Sequence, residues 1–128
     1  MIINGTPHEV VIYSEFDCIF NSAVRKIMLA KEDATPLYRI PAGIPLNAKT
    51  WVRELANPEF PFLRGAVEFL EADPLPGKEG DIVIVSNLYR SALKELGRDT
   101  HSVATVGGTV YSDLDNPRPV GCLYLNFG

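Results

Sequence analysis

The sequence predicts a single α+β domain over residues 1–128, with a mainly antiparallel sheet and two or three helices. A chain of 128 residues that is 46% apolar and 22% charged has a globular composition and enough length for one modest core. Short β-branched and aromatic runs recur along it, separated by clusters of Pro, Gly, Asn and Asp. Only a few stretches place apolar residues at spacings of three and four.

Taken in order, EVVIY (9–13) follows the turn-forming NGTPH and has strand composition, so it is expected to begin the sheet. In FNSAVRKIMLAKE (20–32), Phe20, Val24, Ile27, Met28 and Lys31 fall at helical spacing, with Asn21 or Ser22 as cap, which favours a helix. Pro36, Pro41 and Pro45 keep 35–51 from forming a long helix, and this segment reads as edge strand or extended linker. KTWVRELAN (49–57) suggests two helical turns ended by Asn57-Pro58. RGAVEFLEA (64–72) alternates as a strand does, and DPLPGKEGD (73–81) is a turn cluster. DIVIV (81–85) is an unbroken apolar run suited to burial on both faces. Residues 87–96 are expected to be helical, capped by Ser86 or Asn87, striped by Leu88, Ala92, Leu93 and Leu96, and stopped at Gly97. Strands over 108–112 and 120–127 flank the turn-rich DLDNPRP as a hairpin. The apolar run of the last strand suggests cover on both faces, by a second subunit in a dimer-based oligomer.

Composition excludes several function classes. Lys and Arg number 12 against 16 Asp and Glu, and a net charge of −4 argues against broad nucleic-acid backbone binding while leaving room for a local basic pocket. Cys18 and Cys122 lack CxxC spacing and read as buried thiols of a reducing compartment, not as a disulfide or zinc site. No signal-like segment and no run of about 18 apolar residues occurs, so a cytoplasmic protein without a membrane partner is expected. Asn4-Gly5-Thr6 then reads as a turn, not a glycan acceptor.

Candidate chemistry concentrates near the 87–96 helix. Asn87, Arg90 and Lys94 share a polar, basic face, and a helix start at Ser86 and Asn87 offers free N–H groups and partial positive charge to a phosphate. An alternative reading makes Ser86 a cap, leaves Arg90 and Lys94 solvated, and pairs Arg98 with Asp99. His8 and His101 are the two histidines, and neither has a second ligand at metal spacing. Ser102, His101 and Asp99 are too close in sequence for triad geometry, and no GxSxG is present. TVGGTV (105–110) lacks both GxGxxG and the P-loop Lys, so no cofactor is expected. Trp51 beside Arg53 and Tyr89 beside Arg90 are aromatic–basic pairs able to stack on a base and hold its phosphate, or simply to pack.

The pieces IINGTPHEVVIY, IPAG, PLPGKEGDIVIVSNLYRSAL, GRD and GTVYSD…VGCLYL together resemble a family of small phage and prophage proteins with an Asn-x-Thr-Pro-His opening. Within that set the chain is similar to the Thoeris anti-defence sponge proteins, which capture cyclic ADP-ribose signals without cleaving them. The likeness reaches Thr6, Pro7 and His8, Ser86 and Asn87, Arg98 and Asp99, and Gly121 and Cys122. Residues 17–38 and 50–64 depart from it as insertions, and Gly5 stands where a larger apolar residue is usual.

The resemblance implies a non-enzymatic protein of the infected bacterial cytoplasm that sequesters a nucleotide-derived signal. Arg90 and Arg98 would hold phosphates, Asn87 and Asp99 would bond base or ribose, and Tyr89 or Trp51 would stack. Sequestration needs affinity, not transition-state stabilisation, so no catalytic set is required. Two other readings stand beside it: an enzyme that opens a cyclic nucleotide with His8 or His101 as acid or base, and a phage assembly protein with no small ligand.

Overall fold

The computed structural model describes residues 1–55 and 64–127, the side chains of 51–55 and 64–68 excepted. Within these, the chain is an α+β protein made mostly of strands with one α-helix. Its main sheet has the order β1 (Ile2–Asn4), β8 (Ile82–Ile84), β9 (Val103–Gly107), β12 (Tyr124–Phe127). β1 and β9 both run parallel to β8, pairing Ile2 with Ile82 and Val83 with Val103, while β12 returns antiparallel to β9. α1 (Asn87–Glu95) crosses over from β8 to β9.

A second sheet has the order β11 (Pro119–Gly121), β10 (Val110–Tyr111), β4 (Lys26–Leu29), β3 (Cys18–Asn21). Two strand pairs complete the topology: β2 (Val10–Ile12) with β5 (Tyr38–Ile40), and β6 (Ala48–Leu55) with β7 (Arg64–Ala72). Tyr13 N–H donates to Cys122 O at 2.9 Å and Cys122 N–H to Val11 O at 2.8 Å, which ties the end of β2 to the chain between β11 and β12.

β8 is buried on both faces, as its unbroken apolar run requires. On one face Val83 and Val85 pack with Tyr89, Leu93 and Val103 beneath α1. On the other, Ile84 packs with Val10 and Cys122. A third cluster of Val11, Tyr13 and Val110 joins β2 and the residue after it to the second sheet. Tyr89, Ala92 and Leu93 form the inward stripe of α1, whereas Leu88 is exposed. Ala92 and Leu93 of the expected stripe are thus buried, while Leu96 is partly exposed and Tyr89 takes the place of Leu88, with Asp73 O accepting from its buried phenol. Gly97, at φ 70°, supplies the left-handed residue after the helix, and Arg98 N–H closes on Leu93 O at 2.9 Å.

Several expectations are corrected. The segment 20–32 is not a helix but most of the β3–β4 hairpin and the chain after it. Asn21 Oδ1 accepts from Ala23 N–H at 3.0 Å, and Arg25 adopts φ 54°, so a side-chain-closed turn displaces helical winding. Ile27 and Leu29, two apart, then reach the core with Val11 and Tyr13, a period of two that outweighs the helical spacing.

The helical turns expected over 49–57 are replaced through residue 55 by β6, which pairs with β7 along its length; 56 and 57 lie outside the described residues. Among the described residues, one α-helix and a 3-10 turn at Glu15–Asp17 thus stand where two or three helices were expected. The main sheet is mixed, not mainly antiparallel, because the α1 crossover and the return of β1 impose parallel pairs. The final hairpin is nested: β10 meets β11, and β9 meets β12. β12 is an edge strand, with Tyr124 and Phe127 about half exposed within one chain. No helix among the described residues is long and apolar enough to cross a membrane.

Candidate functional site

The NGTPH turn is organised by one buried amide. Asn4 Nδ2 donates to His8 O at 2.7 Å and to Pro41 O at 3.0 Å, while Asn4 Oδ1 accepts from Thr6 N–H at 3.0 Å and from Thr6 Oγ1 at 2.6 Å. All the hydrogen-bonding capacity of the side chain is used, which is what its burial demands. Gly43 passes so close that a Cβ there would overlap Asn4 O. The turn is therefore held from two directions, and it stands at the C-terminal end of β1.

At that same edge, β8 ends and the chain enters α1 through Ser86, whose Oγ accepts from Tyr89 N–H at 3.2 Å. β9 continues past the end of β8: its Ala104 O takes the Val85 N–H at 2.8 Å, and residues 105–107 project beyond. Between these three strand ends and β11 lies a cleft of about 940 Å³. Its walls come from 6–11, from 84–87, from Thr105, Val106 and Thr109, and from 118–122. Its floor is apolar, with Val10, Ile84 and Cys122, and polar groups gather at its rim: Thr6, His8, Ser86, Asn87, Thr105, Thr109 and Arg118. This is where open α/β sheets place ligands, outside the carboxyl ends of parallel strands at the point where the connections diverge.

The electrostatics at the rim favour an anion. The first turn of α1 leaves backbone N–H groups without intrahelical acceptors and carries the positive end of the helix dipole. Arg90, one turn into the helix, brings Nη1 to 3.5 Å from Thr105 Oγ1, a weak contact, and its buried Nε has no partner among the described residues. Arg118 adds a second cation from the loop before β11. Glu9, the acidic residue of the lining, is paired with Arg39 at 2.8 Å. Burial pushes the Cys122 thiol up, against a smaller opposing pull from a Tyr124 backbone hydrogen bond, so the sulfur in the cleft wall is a protonated thiol and a poor nucleophile. Among the described residues no group of three or more His, Cys, Asp or Glu is placed to hold a metal.

The sequence-predicted residues separate clearly. Thr6, His8, Ser86 and Asn87 come together at the cleft, as do Gly121 and Cys122, and Arg90 stands behind Thr105. The Thr6 hydroxyl is engaged with Asn4, so Thr6 shapes the turn. Tyr89 is a core residue, 1% exposed, and cannot stack on a ligand. Arg98 and Asp99 lie at the opposite end of α1 and do not pair with each other. Arg98 Nη1 donates to Ala72 O at 3.1 Å, on the wall of a smaller hollow of about 340 Å³ beside β7. Asp99 Oδ2 meets His101 Nδ1 at 2.6 Å on the exposed surface. The Trp51 side chain lies outside the described residues. Sequence reasoning missed Thr105, Thr109 and Arg118. The only local signal was a basic residue in a turn-rich loop, because pairing between distant strands brings them to the site.

No family model matches the chain, and no curated protein or solved structure matches it either.

Proposed function

We propose that the chain captures a small phosphate-bearing molecule of the nucleotide type, a cyclic ADP-ribose isomer or a relative, and holds it without chemical change. The observation that carries this reading is the capped start of α1 opening onto a concave cleft at the carboxyl edge of parallel strands. Ser86, Asn87 and the first-turn N–H groups receive the phosphate, Arg90 and Arg118 supply charge, and the apolar floor excludes water. The likeness to anti-defence sponge proteins supplies the biological setting, removal of an immune signal in a phage-infected bacterium. Self-association belongs to the same reading: Phe16, Ile19 and Phe20 are exposed on and beside the edge strand β3, and covering them requires a partner surface. A clean monomer mass by light scattering at micromolar concentration excludes that part.

His8 at the rim favours a second reading, an enzyme that opens a cyclic nucleotide with this imidazole as acid or base. One experiment separates the readings. The protein is incubated with cyclic ADP-ribose isomers, separated from free ligand, heated, and the released material is chromatographed. Intact ligand supports capture, an altered product supports the enzyme, and no retention across the panel overturns both.

A further inference from the structure

β3 closes one side of the second sheet, and its pairing with β4 shows which of its backbone groups face the open edge. Ala30 N–H donates to Asp17 O at 2.8 Å, one step beyond the Cys18–Leu29 pair, so Asp17, Ile19 and Asn21 turn their backbone groups toward β4. Cys18 and Phe20 therefore turn theirs outward. So does the Ser22 N–H, which lies anti to the Asn21 carbonyl across a planar peptide. One of these groups is already used, because the Cys18 N–H donates to Glu15 O and closes the 3-10 turn. Cys18 O, Phe20 N–H, Phe20 O and Ser22 N–H are left without partners among the described residues. Edge strands are commonly guarded by Pro, Lys or a bulge, and CIFN has none of these. Apolar side chains surround the open groups instead: Phe16 is 89% exposed and Phe20 61%, and Ile19 and Val24 are each more than half exposed.

An identical strand fits this edge in one register. Paired antiparallel about a two-fold axis at Phe20, two copies of β3 exchange both Phe20 N–H···O bonds, and the Ser22 N–H of each reaches Cys18 O of the other. Every open group is then used. The register centred on Ile19 instead aims Phe20 O at the Cys18 N–H that Glu15 O already holds, so half of its ladder bonds cannot form. Charge favours the same choice. With Phe20 opposite Phe20, Phe16 approaches Val24 of the second copy and Glu15 approaches its Arg25, both charges being exposed and without an ion-pair partner among the described residues. We infer that the occupant of this edge is a second copy of the chain, bound β3 to β3 in the Phe20 register. The two second sheets become one, in the order β11-β10-β4-β3-β3-β4-β10-β11, and each β11, which borders a cleft, lies at an outer end. This pairing rests on the chain self-associating, and it fixes where and in which register.

The test measures the mass of the intact chain and of Phe20→Glu by light scattering, then crosslinks two single-cysteine probes, Phe20→Cys and Ile19→Cys, each in a Cys18→Ala background under mild oxidation. Residues directly opposite in such a pair have Cα atoms about 5.5 Å apart, within disulfide reach, whereas the neighbouring position meets a different residue of the other copy. Wild type should have the mass of a dimer or a multiple of it. Phe20→Glu, which places like charges opposite each other, should halve that mass. Phe20→Cys should form a disulfide-linked dimer, and Ile19→Cys should not. Should the Cys18→Ala background fail to fold, the two probes are read with Cys18 in place, where it faces Ser22 of the second copy and links to nothing. An oligomer in which Ile19→Cys crosslinks as readily, in which neither probe crosslinks, or which survives Phe20→Glu overturns the β3 pairing and leaves self-association standing. A monomer mass for wild type removes self-association and the pairing with it.

Discussion

Asn4 is buried in the turn, and its amide joins Thr6, His8 O and Pro41 O, so it helps decide whether residues 5–9 keep their shape. Asn4→Ala strands the Thr6 N–H and removes a donor from two carbonyls, and it should cost roughly 1–3 kcal/mol of stability. Urea melts check this, and a change below about 0.5 kcal/mol would contradict the network. Arg98 and Arg90 differ in the same physical sense. Arg98 ties the end of β7 to α1 through carbonyl oxygens, so Arg98→Ala should cost about 1 kcal/mol of stability and leave ligand affinity unchanged. Arg90→Ala should do the reverse, lowering affinity about tenfold or more by removing a charge-assisted bond. The two variants, melted and titrated side by side, test the assignment. Asp99 offers a pH signature: the His101 backbone N–H first, and its ring second, hold the carboxyl below the usual carboxylate range. A depressed folded-state value adds stability above the unfolded value of about 3.9, and that stability disappears as pH falls through the folded value. The stability gap between wild type and Asp99→Asn should therefore be present at about pH 7 and shrink below about pH 4. A gap constant down to about pH 2 would falsify the pairing.

α1 and β8 show which signals are local. Ser86 caps, Gly97 terminates, and DIVIV is apolar throughout, and these features need no knowledge of the rest of the chain to be read. The helix rests on Leu93, 0% exposed, and Leu93→Ala should cost about 2–5 kcal/mol through lost burial and a cavity under α1. The β3–β4 hairpin and β6 were not legible, because their apolar residues suit a helix equally well until Val11, Tyr13 or the β7 partner strand chooses between the two periods. Likewise the turn residues Thr6, His8, Ser86 and Asn87 were legible as loop chemistry. Thr105, Thr109 and Arg118 were not, since nothing near them in the sequence says that β9 outruns β8 at the rim of a cleft.

At the scale of the molecule, the cleft is assembled from four segments separated in sequence, so a ligand in it should stiffen them together. At 100 times its dissociation constant a ligand adds about 2.7 kcal/mol to stability. Amide exchange should slow jointly over 5–9, 84–87, 105–109 and 118–122, and protection confined to one segment would contradict a shared site. The pairing of β1 with β8 joins Ile2 to Ile82 across nearly two thirds of the chain. During synthesis, β1 leaves the ribosome with no partner, and it waits until the eighties of the sequence have followed it out. At about 5–20 residues per second that interval lasts several seconds, far longer than a hairpin takes to close. The hairpins β3–β4 and β6–β7 can form in that time, whereas the central sheet and the cleft cannot. A nascent chain stopped before residue 82 therefore has its outer pieces and no binding site, and arrested ribosomes carrying increasing lengths of this chain should acquire protease resistance abruptly once β8 and β9 are free of the exit tunnel.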